Sequence, residues 1–324
     1  MLRMDGFSYH HATSPAEAIA LWQSLPDPRY IAGGTDLLPN IKHRIVQPRS
    51  LIGIAQALHS GWRQEDGVLI IGGGTKLSAL ATCTLLPALA TAASQIASPQ
   101  IRNMGTLGGN VLLDTRCLFY NQSEFWRKSL GYCLKAEGDW CHVIDSPRTC
   151  VATQSSDTVP VLLVLDAAIV LLGPSGERTL SMRDLYRFNG MDHLQIDAGE
   201  LLTEVRIPLP ADGYRATYRK VRTRDSIDFP QLGLCIGGMF EGRGPAAVAT
   251  SLDIVIGAIN PQPRPIKRLE SFLGRPLTDE LVDEIAAVVH KRSRPVASVH
   301  GDTQWRRAMA AVTTKRALRA LRAG

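Results

Sequence analysis

Four of the six cysteines in this 324-residue sequence fall within one segment of 34 residues. They are Cys117, Cys133, Cys141 and Cys150, separated by steps of 16, 8 and 9 positions. Thiolates are strong ligands for zinc and iron. Cysteines grouped in this way, in a chain without an export signal, favour a metal site over a set of disulfides.

The spacing of these cysteines leaves three interpretations open. Structural zinc sites usually use CxxC pairs, which are absent from this segment. An iron–sulfur cluster tolerates wide spacing, because each iron takes one thiolate from whichever loop reaches it. Unligated thiols are the third interpretation. The remaining two cysteines, Cys83 and Cys235, have apolar or glycine-rich neighbours and are predicted to be small buried hydrophobes.

Two glycine turns could bind an anion: AGGTD at 32–36 and TLGGN at 106–110. Glycine lacks a Cβ atom, so consecutive backbone N–H groups can converge on a phosphate and the phosphate can approach closely. Two such turns could share one pyrophosphate. Neither matches GxGxxG, so a Rossmann fingerprint is not supported. An ordinary tight turn between a strand and a helix is the alternative interpretation.

The elements that must position these residues alternate between strand and helix in the first two-thirds of the chain. Ser14 and Pro15 begin a helix, with Glu17 placed for a capping box. The run 161–172 is predicted as a helix followed by a strand, divided near Asp166. The other predicted strands are 30–32, 51–54, 68–71, 214–221 and 252–259, and the other helices are 86–96, 279–291 and one from Thr303 onward.

The composition excludes several classes of function. A hydrophobic content of 45% and a charged content of 20% are ordinary for a soluble globular protein of two or three domains. The first residues lack an apolar signal-peptide region, and no apolar run reaches the ~20 residues of a membrane helix, so we expect a cytoplasmic protein. The net charge of +6 is modest, the one concentrated basic stretch is TKRALRALRAG at 314–324, and aromatics are only 6%, which argues against nucleic-acid binding.

Five segments together resemble the FAD-binding medium subunits of the molybdenum hydroxylases, which include xanthine dehydrogenase and carbon monoxide dehydrogenase. They are AGGTDL at 32–37, IGGGTKL at 71–77, RNMGTLGGN at 102–110, SDTVPVLLVLDA at 156–167 and YRKVRTRDSIDFP at 218–230. The resemblance implies an α/β + α+β fold. A two-subdomain PCMH-type FAD-binding domain would span 1–212, divided into 1–55 and 56–212. A smaller α+β domain of the CO-dehydrogenase flavoprotein type would span 213–324.

The resemblance also implies which residues contact FAD. The two glycine turns would hold its pyrophosphate, and an Asp after the second turn, here Asp157, would contact the cofactor. The implied set is Ile31, Ala32, Gly33, Gly34, Thr35, Asp36, Thr106, Gly108, Gly109, Asn110 and Asp157. No residue of this chain is predicted to be catalytic, because the substrate chemistry would take place on another subunit.

One departure from the family is large. In most members the SDTVP-like segment follows the GGN turn within about ten residues, whereas Asn110 and Asp157 are 47 positions apart here. The extra residues, an insert spanning 114–152, contain all four clustered cysteines. Within the family this insert is similar to that of the 4-hydroxybenzoyl-CoA reductase β subunits. That similarity implies a [4Fe–4S] cluster bound by Cys117, Cys133, Cys141 and Cys150.

The implied function is electron transfer. Electrons from ferredoxin would pass through the [4Fe–4S] cluster and FAD to partner subunits that carry [2Fe–2S] clusters and the molybdenum cofactor. There 4-hydroxybenzoyl-CoA would be reduced to benzoyl-CoA, in an assembly expected to be a dimer of heterotrimers. Three alternatives stay open: an oxidising molybdenum hydroxylase that reduces NAD or a quinone, a flavin reductase of the UDP-N-acetylenolpyruvoylglucosamine reductase type, and a cofactor-free scaffold.

Overall fold

The computed structural model describes residues 3–323, so the predicted domain limits at residues 1 and 324 lie outside the described part of the chain. Three separate β-sheets organise the molecule, and they follow one another in sequence. The mixed α/β and α+β fold class predicted from the sequence is confirmed.

The first sheet is small and parallel. Its strands are β1 (Ser8–His11), β2 (Pro28–Ile31) and β3 (Ser50–Gly53), in the order β1-β3-β2. Helix α1 (Pro15–Ser24) connects β1 to β2, and its predicted start is confirmed because the Ser14 side chain accepts a hydrogen bond from the N–H of Glu17. The Glu17 carboxylate reaches back to the N–H of Thr13 at 2.8 Å rather than to that of Ser14. The capping box is therefore wider by one residue than the sequence predicts.

The second sheet is antiparallel and carries the largest core. Its order is β4-β5-β8-β6-β7, with β4 (Trp62–Glu65), β5 (Val68–Gly72), β6 (Ala168–Gly173), β7 (Gly176–Ser181) and β8 (Leu201–Pro208). Both Cys83 and Cys235 are fully buried in this core, which confirms the prediction that they behave as small hydrophobes.

Seven short helices lie between β2 and β6 in the sequence. They are α2 (Leu37–Lys42), α3 (Leu77–Leu80), α4 (Pro87–Ser94), α5 (Pro99–Met104), α6 (Leu107–Val111), α7 (Glu124–Ser129) and α8 (Val159–Val164). Asp166 has φ +51° between α8 and β6, so the predicted division of this run into helix and strand is confirmed.

The surroundings of the second glycine turn differ from the prediction that it follows a strand. It follows α5, and its own residues form α6. The physical reason is Thr106, whose side-chain oxygen accepts a hydrogen bond from the N–H of Gly109 at 3.2 Å and so caps the new helix.

The third sheet forms a smaller C-terminal domain. It contains β9 (Tyr214–Val221), β10 (Leu232–Glu241), β11 (Val248–Ala249), β12 (Asp253–Gly257) and β13 (Arg264–Pro265), all antiparallel. Helices α9 (Asp279–Arg292) and α10 (Thr303–Ala323) share one apolar core with this sheet. No helix within residues 3–323 is both long and apolar enough to span a membrane.

Candidate functional site

A cleft of about 520 Å³ lies where the first sheet, the second sheet and the C-terminal domain meet. All of the residues that the resemblance assigns to FAD line this cleft, although they come from three distant parts of the sequence. They are Ile31, Ala32, Gly33, Gly34, Thr35, Asp36, Thr106, Gly108, Gly109, Asn110 and Asp157. The structure thus brings the whole predicted set together around one cavity.

The first glycine turn offers unused hydrogen-bond donors to this cleft. Strand β2 ends at Ile31, and Gly34 then adopts φ +70°, a conformation that glycine reaches without strain. Within residues 3–323, no acceptor receives a hydrogen bond from the backbone N–H groups of Ala32 to Leu37. A continuous run of free N–H groups on a cavity wall is suited to an anion with several oxygens, such as a pyrophosphate.

The second glycine turn is not equivalent to the first. The N–H group of Leu107 donates to the carbonyl of Thr75 at 2.8 Å, and that of Gly108 donates to the carbonyl of Gly73 at 2.9 Å. A Cβ atom at Gly108 would lie 2.9 Å from that same Gly73 oxygen. The glycine therefore permits close packing of two backbone segments, and the turn presents its side chains rather than free N–H groups.

The first glycine turn packs against the end of α5, the helix that leads into the second turn. A Cβ atom at Gly33 would lie 2.0 Å from the carbonyl oxygen of Met104, far inside van der Waals contact. The Lys76 ammonium donates to the same Met104 oxygen at 3.0 Å. Glycine at position 33 is thus required for the first turn to pack directly against the segment that leads into the second.

Asn110 connects the second turn to the SDTVP segment. Its side-chain oxygen accepts hydrogen bonds from the hydroxyl groups of Ser156 at 2.6 Å and Thr158 at 2.7 Å. This arrangement uses the carbonyl end of the Asn110 amide within the chain. The amide thereby fixes the start of helix α8, which begins immediately after Thr158, relative to the second turn.

Asp157 is more enclosed than its predicted role implies. Its side chain is 4% exposed, and its carboxylate accepts hydrogen bonds from the Tyr218 hydroxyl at 2.6 Å and the Lys220 ammonium at 2.8 Å. Burial raises the pKa of the Asp157 carboxyl, and Lys220 and Tyr218 oppose that rise. Asp157 therefore borders the cleft, and its negative charge is balanced by Lys220 of the C-terminal domain.

A loop of the C-terminal domain, at 222–230, forms the rim of the cleft and was not predicted from the sequence. Ile227 has φ +57°, a strained conformation for a β-branched residue, and its N–H donates to the carbonyl of Ala97 at 3.0 Å. Ile227 and Phe229 line the cleft and are 59% and 53% exposed. The only sequence signal for this loop was its place in the YRKVRTRDSIDFP segment.

The two ends of the insert lie side by side at Arg116 and Thr153, and we call this pair of segments the neck of the insert. Arg116 and Thr153 form an isolated antiparallel bridge, with N–H···O distances of 3.0 and 2.8 Å. Beyond the neck, Arg127 is buried and donates to the backbone carbonyls of His43 at 3.2 Å and Arg44 at 2.9 Å, directly after α2. The insert is therefore fixed to the same subdomain that contains the first glycine turn.

The four insert cysteines are all buried free thiols. Cys117, Cys133 and Cys150 pack in one small cluster. Burial raises the pKa of Cys117 to about 12, and it also raises that of Cys150, with smaller contributions from Cys141 and Cys133. Three of the four thiols therefore lie together, and Cys141 is buried in the same insert.

The thiols do not converge as a single metal ion would require. Among residues 3–323, no group of three or more His, Cys, Asp or Glu side chains is arranged to hold one metal ion. A zinc site draws its ligands to one point about 2.3 Å from each sulfur. A cluster instead spreads its thiolates, since each binds a different iron. No metal-binding group is thus seen among the described residues, and the [4Fe–4S] cluster stays a prediction.

A second cavity of about 250 Å³ lies between the start of the insert and the C-terminal domain. Cys117 lines this cavity, and Arg116 lines both the cavity and the cleft. The neck of the insert thus borders both cavities, as do residues 227–229 of the C-terminal domain.

Comparison with known protein families assigns most of the chain. Residues 5–210 match the family described as the FAD-binding domain in molybdopterin dehydrogenase, and residues 216–321 match the CO dehydrogenase flavoprotein C-terminal domain. The chain is similar to the aldehyde oxidoreductase FAD-binding subunit PaoB of Escherichia coli, with 32% identity over 76% of this chain and 81% of that protein.

Two further similarities extend over nearly the full length. The carbon monoxide dehydrogenase medium chain of Hydrogenophaga pseudoflava is 29% identical, over 97% of this chain and 96% of the relative. A solved structure of carbon monoxide dehydrogenase from the same organism superimposes with a TM-score of 0.76 at 26% identity, covering 98% of each chain. The chain therefore belongs to the family of FAD-binding medium subunits of the molybdenum hydroxylases.

Proposed function

We propose that this subunit binds FAD in the cleft and a [4Fe–4S] cluster on Cys117, Cys133, Cys141 and Cys150, and transfers electrons between the two. The observation that carries the proposal is the position of the four buried thiols behind a neck that borders the FAD cleft. FAD, when bound, exchanges electrons singly or in pairs, and an iron–sulfur cluster exchanges them singly.

Different residues of the cleft would contact different parts of FAD. The free N–H groups of the first glycine turn would bind the pyrophosphate oxygens, and Thr106 and Asn110 would add side-chain contacts. Ile227 and Phe229, at the rim, would exclude water from the bound cofactor. Asp157, held by Lys220 and Tyr218, would fix the position of the SDTVP segment and contact the cofactor from a charge-compensated site.

The residues of the insert would hold the cluster in a closed pocket. Lys135 is 6% exposed and donates to the carboxylate of Asp114 at 2.7 Å and to the carbonyl of Gly190 at 2.8 Å. The N–H of Gly190 in turn donates to the carbonyl of Cys150 at 2.9 Å. This chain of contacts fixes Cys150 and places a positive charge near thiolates, which would offset part of the negative charge of a ligated cluster.

We further propose that the enzyme is a 4-hydroxybenzoyl-CoA reductase. The support is the position of the insert and its four cysteines, which are similar to those of the β subunits of that enzyme. Partner subunits would carry the molybdenum cofactor and [2Fe–2S] clusters, in a dimer of heterotrimers, and ferredoxin would be the electron donor. Electrons would then enter at the insert and leave through the cleft towards the partners.

The oxidising alternative is supported by the names of the relatives. PaoB is a subunit of an aldehyde oxidoreductase, and the Hydrogenophaga protein is the medium chain of a carbon monoxide dehydrogenase. In this second candidate function, electrons would arrive from the substrate subunit and leave the FAD cleft for NAD or a quinone. The same residues would bind FAD, and the direction of electron transfer would be reversed.

The test is anaerobic co-purification of the subunit with its partners, followed by determination of FAD, iron, acid-labile sulfide and molybdenum. FAD with about four irons and four sulfides assigned to this subunit supports the first proposal. FAD without iron in this subunit overturns the cluster, and a colourless protein favours a scaffold. Stopped-flow reduction of FAD by reduced ferredoxin, compared with reoxidation by NAD or a quinone, then distinguishes the two directions.

A further inference from the structure

Arg116 reaches from the insert to the first glycine turn. Its backbone closes the neck against Thr153, and Cys117 is the next residue. Its guanidinium forms an ion pair with the carboxylate of Asp36, across 80 positions in sequence. The Arg116 side chain is only 12% exposed, and its Nε atom is buried with no hydrogen-bond partner within residues 3–323. Asp36 is thus the principal charge partner of a largely buried cation.

Asp36 occupies an unfavourable position for a site that binds an anion. It lies within the run of free N–H groups, where a pyrophosphate would bind, and its carboxylate also accepts a hydrogen bond from Asn40 at 3.0 Å. An uncompensated carboxylate here would repel the phosphate oxygens. Arg116 neutralises that carboxylate from the insert.

We propose that the Arg116–Asp36 ion pair couples FAD binding to the insert that contains the cysteines, with Arg116 acting as a positioning residue. This inference rests on the proposed FAD site and cluster. Arg116 keeps Asp36 neutralised and in place, so the first turn can receive the pyrophosphate. Bound FAD in turn keeps the turn ordered and so stabilises the neck beside Cys117. Coupling between two sites is reciprocal, so each cofactor increases the retention of the other.

A second contact between the insert and helix α2 supports the proposed coupling. Arg127 binds the carbonyls of His43 and Arg44, at the end of helix α2, whereas Asp36 lies immediately before the start of that helix. The insert therefore contacts both ends of the short helix that follows the glycine turn. A shift of the turn on loss of FAD would be transmitted to the insert at two points.

The experiment compares FAD binding in Arg116→Met with wild type, using the complete enzyme after removal and titration of FAD. The dissociation constant is expected to rise about tenfold, because Asp36 is left without its counter-charge. Adding Asp36→Asn to Arg116→Met is expected to restore binding to within about threefold of wild type. Arg148→Met removes an exposed charge from the same insert and is the matched control, with unchanged binding.

The reciprocal measurement is the rate of iron loss to a chelator. Wild-type protein loaded with FAD is expected to lose iron more slowly than FAD-free protein, and the difference is expected to disappear in Arg116→Met. If this variant does not fold, Arg116→Lys replaces it, with FAD binding expected within about threefold of wild type.

Equal FAD affinity in wild type and Arg116→Met, or no rescue by Asp36→Asn, overturns the coupling while the proposed function stands. If Arg116→Met does not fold, FAD binding by Arg116→Lys more than tenfold weaker than wild type overturns it as well. Wild-type protein that binds no FAD at all overturns the proposed function instead.

Discussion

The ammonium of Lys220 lies 2.8 Å from the carboxylate of Asp157, and both side chains are almost wholly enclosed, at 0% and 4% exposure. Asp157 precedes helix α8 of the FAD-binding domain, and Lys220 lies on strand β9 of the C-terminal domain. The same ammonium also donates to the carbonyl of Gln95 at 3.0 Å. The pair therefore joins the two domains at a position that borders the cleft.

Replacing one member of the Asp157–Lys220 pair is expected to lower the free energy of unfolding more than replacing both. Lys220→Met leaves the Asp157 carboxylate buried without its counter-charge, and we expect a loss of about 3–5 kcal/mol in the free energy of unfolding. The double variant Asp157→Asn/Lys220→Met is expected to recover a large part of that loss. Urea denaturation measures both, with Lys267→Met as an exposed control expected to stay within about 0.5 kcal/mol of wild type. A single variant as stable as the control would contradict the argument.

Elements with a local signal in the sequence were predicted well. Ser14 caps α1, Asp166 divides the apolar run between α8 and β6, and β9 spans Tyr214–Val221, as the alternation of residue types indicates. Each of these features depends on neighbours within a few positions. Local hydrogen bonding and periodicity are enough to determine them.

Features that depend on distant contacts were not predictable. Both glycine turns contain a Gly-Gly pair and a Thr, yet the N–H groups of Leu107 and Gly108 in the second turn donate to the carbonyls of Thr75 and Gly73, more than thirty positions earlier. Arg306 is fully buried and donates to three backbone carbonyls, including that of Gln231 at 2.8 Å, although its sequence context is that of a basic surface helix. Only the tertiary fold decides which residues meet in these cases.

The set of FAD residues was obtained from resemblance, and the structure adds the contacts that explain their types. Gly33 is a clear example, because its missing Cβ atom leaves room for the carbonyl oxygen of Met104. The Asp36–Arg116 ion pair, in contrast, was not expected from the resemblance. Nothing in either local segment indicates that a residue of the insert neutralises a residue of the first turn.

Gly33→Ala is expected to weaken FAD binding severely. The new Cβ atom would lie 2.0 Å from the Met104 oxygen, so the first turn must move away from the second and the free N–H groups lose their alignment. We expect the dissociation constant for FAD to rise by about a hundredfold, measured by quenching of flavin fluorescence.

Gly6→Ala is the matched control for this substitution. No atom lies within 4 Å of a Cβ atom built at Gly6, so we expect unchanged FAD affinity. An affinity for the Gly33→Ala variant within about twofold of the Gly6→Ala variant would show that contact between the two turns is not needed for binding.

Cys133→Ser is expected to deplete iron without removing FAD. Loss of one thiolate from a four-cysteine site lowers cluster retention, and we expect the iron assigned to this subunit, per FAD, to fall below about half of the wild-type value. Cys83→Ala, a buried cysteine in the main core outside the insert, is expected to keep the wild-type ratio. Iron analysis and the visible spectrum after anaerobic purification provide the measurement. If the ratio of iron to FAD is the same in Cys133→Ser and Cys83→Ala, Cys133 is not a ligand of the proposed cluster.

Glu200 forms a two-point ion pair at the edge of the cleft. Its carboxylate accepts hydrogen bonds from the Arg178 guanidinium at 2.6 and 2.8 Å and from the N–H of Asp197 at 2.7 Å, and its side chain is 6% exposed. The hydrogen bond from Arg178 lowers the pKa of the Glu200 carboxyl from its ordinary value of 4.5, and partial burial opposes this. The unfolded chain therefore binds this proton more readily than the folded protein.

The stability that Glu200 provides is consequently present above pH 4.5 and is lost as the pH falls through the lowered pKa. We expect Glu200→Gln to be less stable than wild type by about 1–3 kcal/mol at pH 7, and the difference to narrow as the pH falls below about 4. Thermal denaturation across this range measures it. Glu177→Gln, an exposed change on β7 of the same sheet, is expected to match wild type throughout. A deficit for Glu200→Gln that is the same at pH 7 and at low pH would show that shape, not charge, accounts for the contribution of this carboxylate.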